Sequence, residues 1–181
     1  MIIGPMFAGK TTELIRRQQR LQTIGKEVLV INHASNSRFG SGARELQSHD
    51  RVRSQGSPVI ALDALQDVFQ HPLYETCDAV IIDEAQFFWG LKNAVLRMVE
   101  EDRKHVILGG LLACANRRPF GQMHLLMIHA NDVTLLTALC KKCGDGTAAI
   151  YSRKLRETEE HIGGAELYEC LCRQHYLDAL T

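Results

Sequence analysis

The chain has 181 residues, and its 21 Lys and Arg residues balance its 21 Asp and Glu residues, so its formal net charge is zero. This length allows one main domain with a small appendage, and such a chain can bury a core without disulfide bonds. The balanced charge counts against a protein that binds duplex nucleic acid or an anionic membrane surface, and no apolar run approaches the ~20 residues of a membrane span.

The amino terminus lacks the cationic stretch followed by an apolar stretch that marks a secretory signal. With six cysteines, this predicts a cytoplasmic protein whose cysteines are free thiols or metal ligands. The run Met1-Ile2-Ile3 is short for the strand that must precede the next motif. We therefore expect that a few residues are missing upstream or that the chain is a segment, or one half, of a longer polypeptide.

A phosphate-binding motif of the form G-x-x-x-x-G-K-S/T follows this run. Its glycines let the backbone curl so that N–H groups point at an anion, and the helix behind it adds its positive dipole end. Lys10 is predicted to reach the outer phosphates and Thr11 to offer its hydroxyl to Mg2+. A glycine-containing turn that matches by chance is the alternative, and the flanking strand and helix patterns favour nucleotide binding. The motif comprises Gly4, Pro5, Met6, Phe7, Ala8, Gly9, Lys10 and Thr11.

Predicted helices and strands alternate along the next part of the chain, with a long polar connection over residues 32–57. This alternation predicts an α/β fold around a mostly parallel sheet. After Leu139 the composition changes to cysteine pairs, glycines and charges, which predicts a nucleotide-binding domain over 1–139 and a small metal-binding lobe over 140–181. The patterns predict helices over 12–24, 62–69 and 92–101, and strands over 28–31, 59–61, 79–82 and 106–110, with 131–138 returning to the core.

An acidic pair, Asp83 and Glu84, ends the buried strand over residues 79–82 in the manner of a Walker B element. Such a strand places a carboxylate beside the bound phosphates, so Asp83 is predicted to orient Mg2+ or a water bound to it. Glu84 is placed to accept a proton from an attacking hydroxyl. Similar pairs occur in ATPases, in which the Glu activates water. The spacing therefore does not decide between phosphoryl transfer to a substrate and hydrolysis of ATP. Two solvated acids are the alternative, which the phosphate-binding motif disfavours.

Two short metal-binding turns in the last third of the chain have the spacing of a zinc ribbon. The first contains Cys140 and Cys143, and the second contains Cys172 and His175. Four ligands close a tetrahedron with no open position, so the predicted zinc is structural and would stabilise a lobe with little core of its own. Cys170 is a competing ligand for Cys172, although its spacing to His175 is less regular. Reduced thiols without a metal are the alternative.

Together, these motifs resemble the thymidine kinase family of the cellular and poxviral type. The resemblance implies a RecA-like P-loop domain of the α/β class and a small zinc-ribbon lobe. In this lobe a flexible lasso, here about residues 152–168, closes over the nucleoside. The resemblance extends over nearly the whole chain and is carried by residues 4–14, 83–88, 117–121, 136–143 and 162–176.

The resemblance implies transfer of the γ-phosphoryl group of ATP to the 5′-hydroxyl of deoxythymidine, with Mg2+, in thymidine salvage for DNA synthesis. Family members usually assemble as tetramers. Glu84 becomes the general base, and Asp83 and Arg38 join the phosphate-binding motif at the ATP site, with Arg38 facing the phosphates or the sugar. Backbone groups of the lasso would bind the edge of the thymine. The implied nucleoside pocket is formed by Met6, Phe87, Leu111, Ser152 and Tyr168.

The sequence departs from the family pattern mainly on the nucleoside side. Ala115 replaces an aromatic residue that stacks on the base, a contact of about 1–3 kcal/mol, so thymidine should bind more weakly or a larger base should fit. Leu112 replaces an acidic or amide residue, and Asn36 replaces the acid of the D-x-R-Y element. A weakened homologue that binds ATP and serves as an oligomer partner, an ATP hydrolase, and a zinc-ribbon nucleic-acid binder are the alternatives. The zero net charge counts against the last.

Overall fold

The computed structural model describes residues 1–35, 56–156 and 163–180. Its central sheet has six strands, namely β1 (Ile2–Ile3), β2 (Val28–His33), β3 (Val59–Leu62), β4 (Ala79–Ile82), β5 (His105–Gly110) and β6 (Thr134–Leu135). The strand order is β3-β2-β4-β5-β1-β6, and every neighbouring pair is parallel. The predicted α/β class with a mostly parallel sheet is therefore confirmed.

Four α-helices accompany the described strands: α1 (Lys10–Thr23), α2 (Pro72–Thr76), α3 (Leu91–Leu96) and α4 (Arg173–Asp178). The helix predicted over 62–69 is wrong in type, because Leu62 ends β3 and a 3-10 helix occupies Leu65–Gln70. The 3-10 helix ends at Gln70, and the next residue, His71, has an extended backbone with φ −84° and ψ 128°. A residue that precedes proline avoids the helical region, so Pro72 explains the break. The helix predicted over 92–101 is divided into α3 and a π-helical turn at Arg97–Glu101.

Both faces of the sheet are covered, which explains the uninterrupted apolar runs of its central strands. On one face, Leu14 and Ile15 of α1 pack against Val30 and Ile81. The opposite face has a larger core that contains Phe88, Leu91 and Met98. Within β4 the side chains alternate between these two clusters, so the strand is buried along its whole length.

The carboxyl-terminal lobe has two small antiparallel sheets and α4. Strand β7 (Ala138–Leu139) pairs with β8 (Ala148–Ala149), and β9 (Tyr151–Lys154) pairs with β10 (Tyr168–Leu171). A third apolar cluster joins this lobe to the loop between β1 and α1, because Met6 of that loop packs with Leu171 and Tyr176. Among the described residues, no helix has the length and apolar character needed to cross a bilayer.

Candidate active site and metal centre

The loop between β1 and α1 lies at the carboxyl end of the parallel sheet, and its backbone requires glycine at two positions. A Cβ atom on Gly4 would lie 2.5 Å from the carbonyl oxygen of Leu136, which belongs to the backbone and cannot easily move. Gly9 has a φ of 80°, in the left-handed region that glycine adopts without strain, and it directly precedes α1. Phe7 also has a positive φ, at 58°. These conformations curl the predicted phosphate-binding loop.

Lys10 and Thr11, the first residues of α1, both form hydrogen bonds at the site. The Lys10 ammonium donates to the Pro5 carbonyl oxygen over 2.7 Å, across the loop that it would serve. The Thr11 hydroxyl donates to Oδ2 of Asp83 over 2.9 Å. Strand β5 lies between β1 and β4 in the sheet, so this contact links two loops that follow non-adjacent strands. The two residues predicted to hold Mg2+ are thus in direct contact.

The Asp83 carboxylate is almost completely buried. Its desolvation, followed by the nearby charge of Glu84, raises its pKa to about 7, although hydrogen bonds from the Thr11 hydroxyl and the Glu84 backbone N–H oppose the shift. A buried carboxylate that is costly to ionise alone is a suitable ligand for a divalent cation, because the cation compensates the charge. The donor set of one hydroxyl and one carboxylate fits Mg2+, which prefers oxygen ligands.

The backbone of Glu84, which follows Asp83, adopts a left-handed conformation, with φ 49° and ψ 40°. Its carboxylate accepts a hydrogen bond of 2.6 Å from the side-chain amide of Gln86. The oxygen of the same amide accepts a hydrogen bond of 3.0 Å from the Leu111 backbone N–H. Gln86 therefore fixes the orientation of Glu84. No role was predicted for Gln86, although it lies within residues 83–88, one of the stretches that carry the family resemblance.

The residues predicted to form a nucleoside pocket are not all in one cluster. Met6, Leu111 and Tyr168 share the apolar cluster of the carboxyl-terminal lobe. The Phe87 ring lies instead against Phe120, with 5.3 Å between the ring centroids. Ser152 accepts a hydrogen bond of 2.9 Å from the Met6 backbone N–H. These contacts bring Leu111, Ser152 and Tyr168 to Met6 of the phosphate-binding loop, and none of them connects Phe87 with it.

Ala115, where the family pattern has an aromatic residue, is partly buried against the same apolar cluster. Its carbonyl oxygen accepts a hydrogen bond of 2.6 Å from the Tyr176 hydroxyl. The guanidinium of Arg117 lies 5.1 Å from the centroid of the Tyr176 ring. The backbone of the segment after β5 is thus hydrogen-bonded to α4.

Cys170 is not part of the cysteine and histidine cluster. Its thiol donates to the Met6 carbonyl oxygen over 2.8 Å and is buried. Burial raises the pKa of this thiol to about 11, so the thiol keeps its proton at neutral pH. The contact was absent from the sequence analysis, which considered Cys170 only as a competing metal ligand. No local pattern indicates it, because Met6 lies at the other end of the chain.

The ligand atoms of the predicted zinc site lie within 4.8 Å of one another, and they belong to Cys140, Cys143, Cys172 and His175. Zinc bonds of about 2.3 Å to sulfur and 2.0–2.1 Å to nitrogen place tetrahedral ligands roughly 3.5–3.8 Å apart. The sulfurs of Cys143 and Cys172 are 3.8 Å apart. Nδ1 of His175 lies 3.5 Å from Cys140, 3.3 Å from Cys143 and 3.4 Å from Cys172. The residues therefore fit a closed tetrahedral zinc site.

The electrostatic surroundings of Cys140 also suit a metal ligand. Desolvation opposes ionisation of its thiol, but backbone hydrogen bonds, first from Cys172 and then from Cys143 and Lys142, lower its pKa to about 6. A thiolate is the form that coordinates zinc. The remaining predicted site residue, Arg38, lies outside the described residues, as do Asn36 and the middle of the predicted lasso, residues 157–162.

Comparison with known proteins identifies related sequences along almost the whole chain. The sequence model of the family described as "Thymidine kinase" matches residues 1–176. A protein named thymidine kinase from Oryza sativa subsp. japonica is 39% identical over 98% of this chain, which covers 65% of the rice protein, just under two thirds of its length. Thymidine kinases of Myxoma virus (strain Uriarra) and Monkeypox virus are 36% and 37% identical. These matches cover 97% and 99% of this chain, and 94% and 96% of the viral proteins.

Proposed function

The chain belongs to the thymidine kinase family, and from this premise we propose that it transfers the γ-phosphoryl group of ATP to the 5′-hydroxyl of deoxythymidine. The observation that carries the proposal is the contact between Thr11 and Asp83, which joins the phosphate-binding loop to the acidic pair. Glu84 follows Asp83 directly, so a base lies beside the position where the terminal phosphate would bind.

The phosphate-binding loop would hold the triphosphate through its backbone N–H groups and the α1 amino terminus. The Lys10 ammonium would exchange its contact with the Pro5 carbonyl for one with the β- and γ-phosphate oxygens. Thr11 and Asp83 would hold Mg2+ by their oxygen atoms. The bound ion would neutralise charge on the phosphate oxygens, which phosphoryl transfer requires.

Glu84 acts as the general base in the proposed reaction. The 5′-oxygen of the nucleoside forms a bond to the γ-phosphorus while the bond from that phosphorus to the β,γ-bridging oxygen breaks and ADP leaves. The hydroxyl proton passes to the carboxylate of Glu84, which the Gln86 amide holds in one orientation. General-base catalysis requires this carboxylate within hydrogen-bond distance of the hydroxyl, and positioning contributes more than an altered pKa.

The nucleoside would lie between the loop and the carboxyl-terminal lobe, against Met6, Leu111 and Tyr168. We further propose that Phe87 and Ser152 contribute to this site, that Arg38 faces the phosphates or the sugar at the ATP site, and that zinc stabilises the lobe. Because Ala115 offers no ring for base stacking, thymidine should bind less tightly than in a site with an aromatic residue there. A cytoplasmic homo-oligomer that acts on free deoxynucleosides, without nucleic acid or membrane partners, completes the proposal.

The decisive experiment supplies the purified protein with Mg2+, ATP and a panel of deoxynucleosides, and separates the monophosphates by chromatography. Thymidine and deoxyuridine are the expected substrates. Glu84→Gln should lower kcat by roughly 10²–10⁴-fold while leaving ATP binding intact, because it removes the base and not the phosphate site. Glu100→Gln, at an exposed position of the π-helical turn, is the matched control and should retain activity.

Two results would overturn the kinase proposal. Bound ATP without monophosphate from any nucleoside would favour a weakened homologue that serves as an oligomer partner. Phosphate released at the same rate with and without nucleosides would instead indicate an ATP hydrolase.

A further inference from the structure

Two side chains of the carboxyl-terminal lobe bind opposite sides of one residue in the phosphate-binding loop. Ser152 of β9 and Cys170 of β10 face each other as a cross-strand pair. The Met6 backbone N–H donates to the Ser152 hydroxyl over 2.9 Å. The Cys170 thiol donates to the Met6 carbonyl over 2.8 Å. The N–H and the carbonyl of Met6 are therefore both bound by one antiparallel strand pair. In sequence, Ser152 lies 146 residues and Cys170 lies 164 residues after Met6.

These contacts fix the two peptide groups that flank Met6. The N–H of the peptide before it donates to Ser152, a contact that remains when the Lys10 ammonium leaves the Pro5 carbonyl for the phosphates in the proposed reaction. The carbonyl of the peptide after Met6 accepts from Cys170. Each peptide plane is thus held by a side-chain partner outside the loop backbone. A loop held in this way loses less conformational entropy when an anion binds to its N–H groups.

Apolar packing of the Met6 side chain adds to the hydrogen bonds that hold the Met6 backbone. It is 9% exposed and packs in the apolar cluster that also contains Tyr168 and Leu171 of β10. The next residue, Phe7, has a φ of 58°, a conformation that costs free energy for a non-glycine residue. Such a conformation persists only where the surrounding structure determines it, and the hydrogen bonds to Met6 hold the adjacent residue.

We propose that Ser152 and Cys170 form a clamp, the Met6 clamp, that holds the phosphate-binding loop in its anion-binding conformation. Both are positioning residues: they contact the loop backbone and not the reacting atoms. The proposal rests on the proposed binding of ATP by this loop. It makes the affinity for Mg·ATP dependent on the β9–β10 pair, a part of the chain remote in sequence from the phosphate-binding motif.

The test measures the Kd of Mg·ATP by calorimetric titration, which is independent of any nucleoside. Cys170→Val removes the thiol donor and Ser152→Ala removes the hydroxyl acceptor. Each should weaken binding roughly three- to tenfold, the range expected for loss of one buried hydrogen bond that orders the loop. Cys170→Ser keeps a donor at the same position and should restore an affinity close to the native one. For each active variant, the KM for ATP should rise more than the KM for the nucleoside.

A matched control distinguishes the clamp from a general loss of stability. The thiol of Cys77 is also buried and donates to a backbone carbonyl, that of Tyr74, over 3.3 Å. Cys77 lies just before β4, at the end of the strand opposite the phosphate-binding loop. Cys77→Val should lower Tm to a similar extent as Cys170→Val and leave the Kd of Mg·ATP unchanged.

The outcomes separate this inference from the proposed kinase activity. Native affinity retained in Cys170→Val and in Ser152→Ala would overturn the clamp alone, whatever the protein phosphorylates. Native protein without measurable affinity for Mg·ATP would overturn both the donor assignment and the clamp. Protein that binds ATP and loses affinity in these variants, but phosphorylates no nucleoside, would support the clamp and overturn the kinase proposal.

Discussion

Asp83 and Glu84 are adjacent in sequence but have different surroundings. Asp83 is buried beneath Thr11, whereas the left-handed backbone at Glu84 turns the second carboxylate towards Gln86 and a less buried position. Burial favours a cation at the first carboxylate, whereas the second carboxylate is only partly buried and accepts a hydrogen bond from Gln86. These different surroundings support the proposed division into a metal ligand and a base.

The burial of Asp83 predicts that the stability of the metal-free protein falls as pH rises. Its pKa of about 7 in the folded protein exceeds the ordinary value of 3.8, so between these values the folded state holds a proton that the unfolded chain has lost. Stability then decreases by at most about 1.4 kcal/mol per pH unit, and the loss is complete once pH exceeds the folded pKa. Thermal unfolding in chelator from about pH 4 to pH 8 measures this slope, which Asp83→Asn should reduce.

The control for this experiment is Asp67→Asn, at an exposed position of the 3-10 helix Leu65–Gln70. It should leave the slope unchanged. Added Mg2+ should stabilise the native protein most at the alkaline end, because the cation then binds an ionised carboxylate. An identical slope in Asp83→Asn and native protein would contradict the assignment.

At the scale of elements, the turn after β4 is held by the segment that follows β5. Gln86 lies close to two glycines, Gly110 at the end of β5 and Gly121 in the segment that follows it. A Cβ atom on Gly110 would lie 2.5 Å from the Gln86 amide oxygen. Gly121, with a φ of 56°, lies so near the Gln86 carbonyl oxygen that a Cβ atom there would overlap it. The close packing of these two loops fixes the position of the amide that orients Glu84.

This packing predicts that Gly121→Ala lowers both stability and kcat. The added methyl group forces the Gln86 backbone to move, and a positive φ strains the alanine, so we expect about 1–3 kcal/mol of destabilisation. The matched control is Gly25→Ala, because Gly25 has a φ of 74° and nothing within 4 Å of the added atom. Gly25→Ala has the backbone strain of a positive φ but no steric overlap with another residue. This variant should be less stable than the native protein and keep the native kcat. Denaturant unfolding and steady-state kinetics give both quantities, and an equal kcat in the two variants would contradict the prediction.

The elements that could be predicted from the sequence are those with a strong local signal. The apolar run at 28–31 predicts the first four residues of β2, and the run at 79–82 predicts β4 with its bounds, because a central parallel strand is apolar on both faces. The amphipathic pattern at 12–24 predicts α1 to within two residues at its start. The segment over 62–69 was mispredicted, since apolar spacing does not distinguish a 3-10 helix from an α-helix. The strands β9 and β10 were not predicted, because their pattern is short and mixed.

At the scale of the whole molecule, a site whose residues are close in sequence can be predicted, whereas a contact between distant parts of the chain cannot. The ligand set of Cys140, Cys143, Cys172 and His175 could be predicted because each pair lies within one short turn. The contacts of Met6 with Ser152 and Cys170 could not, since they join opposite ends of the chain and follow no periodicity. The sequence thus indicated the parts of the candidate site but not the support that the lobe gives to the loop.

The same support predicts that zinc, although remote from the phosphates, controls ATP affinity. Cys172 follows β10 by one residue, so a bound zinc would fix the end of the strand that carries Cys170. Removing the metal should leave the parallel sheet folded, because its two cores contain none of the zinc ligands. The lobe would lose its main constraint and release Met6. We therefore expect elemental analysis to find one zinc per chain, and Cys143→Ser or a strong chelator to remove it and weaken Mg·ATP binding roughly tenfold.

A double-mutant comparison identifies the route of this effect. If zinc acts through the Met6 clamp, chelation should weaken Mg·ATP binding less in the variant that carries both Ser152→Ala and Cys170→Val than in native protein, because the clamp is already lost there. Cys114→Ser, at a partly buried cysteine outside the cluster, should keep both its zinc and its affinity. Zinc loss with unchanged ATP affinity would show that the lobe and the loop are energetically independent. A full chelation effect in the double variant would show that zinc acts by another path, since the two perturbations would then be additive.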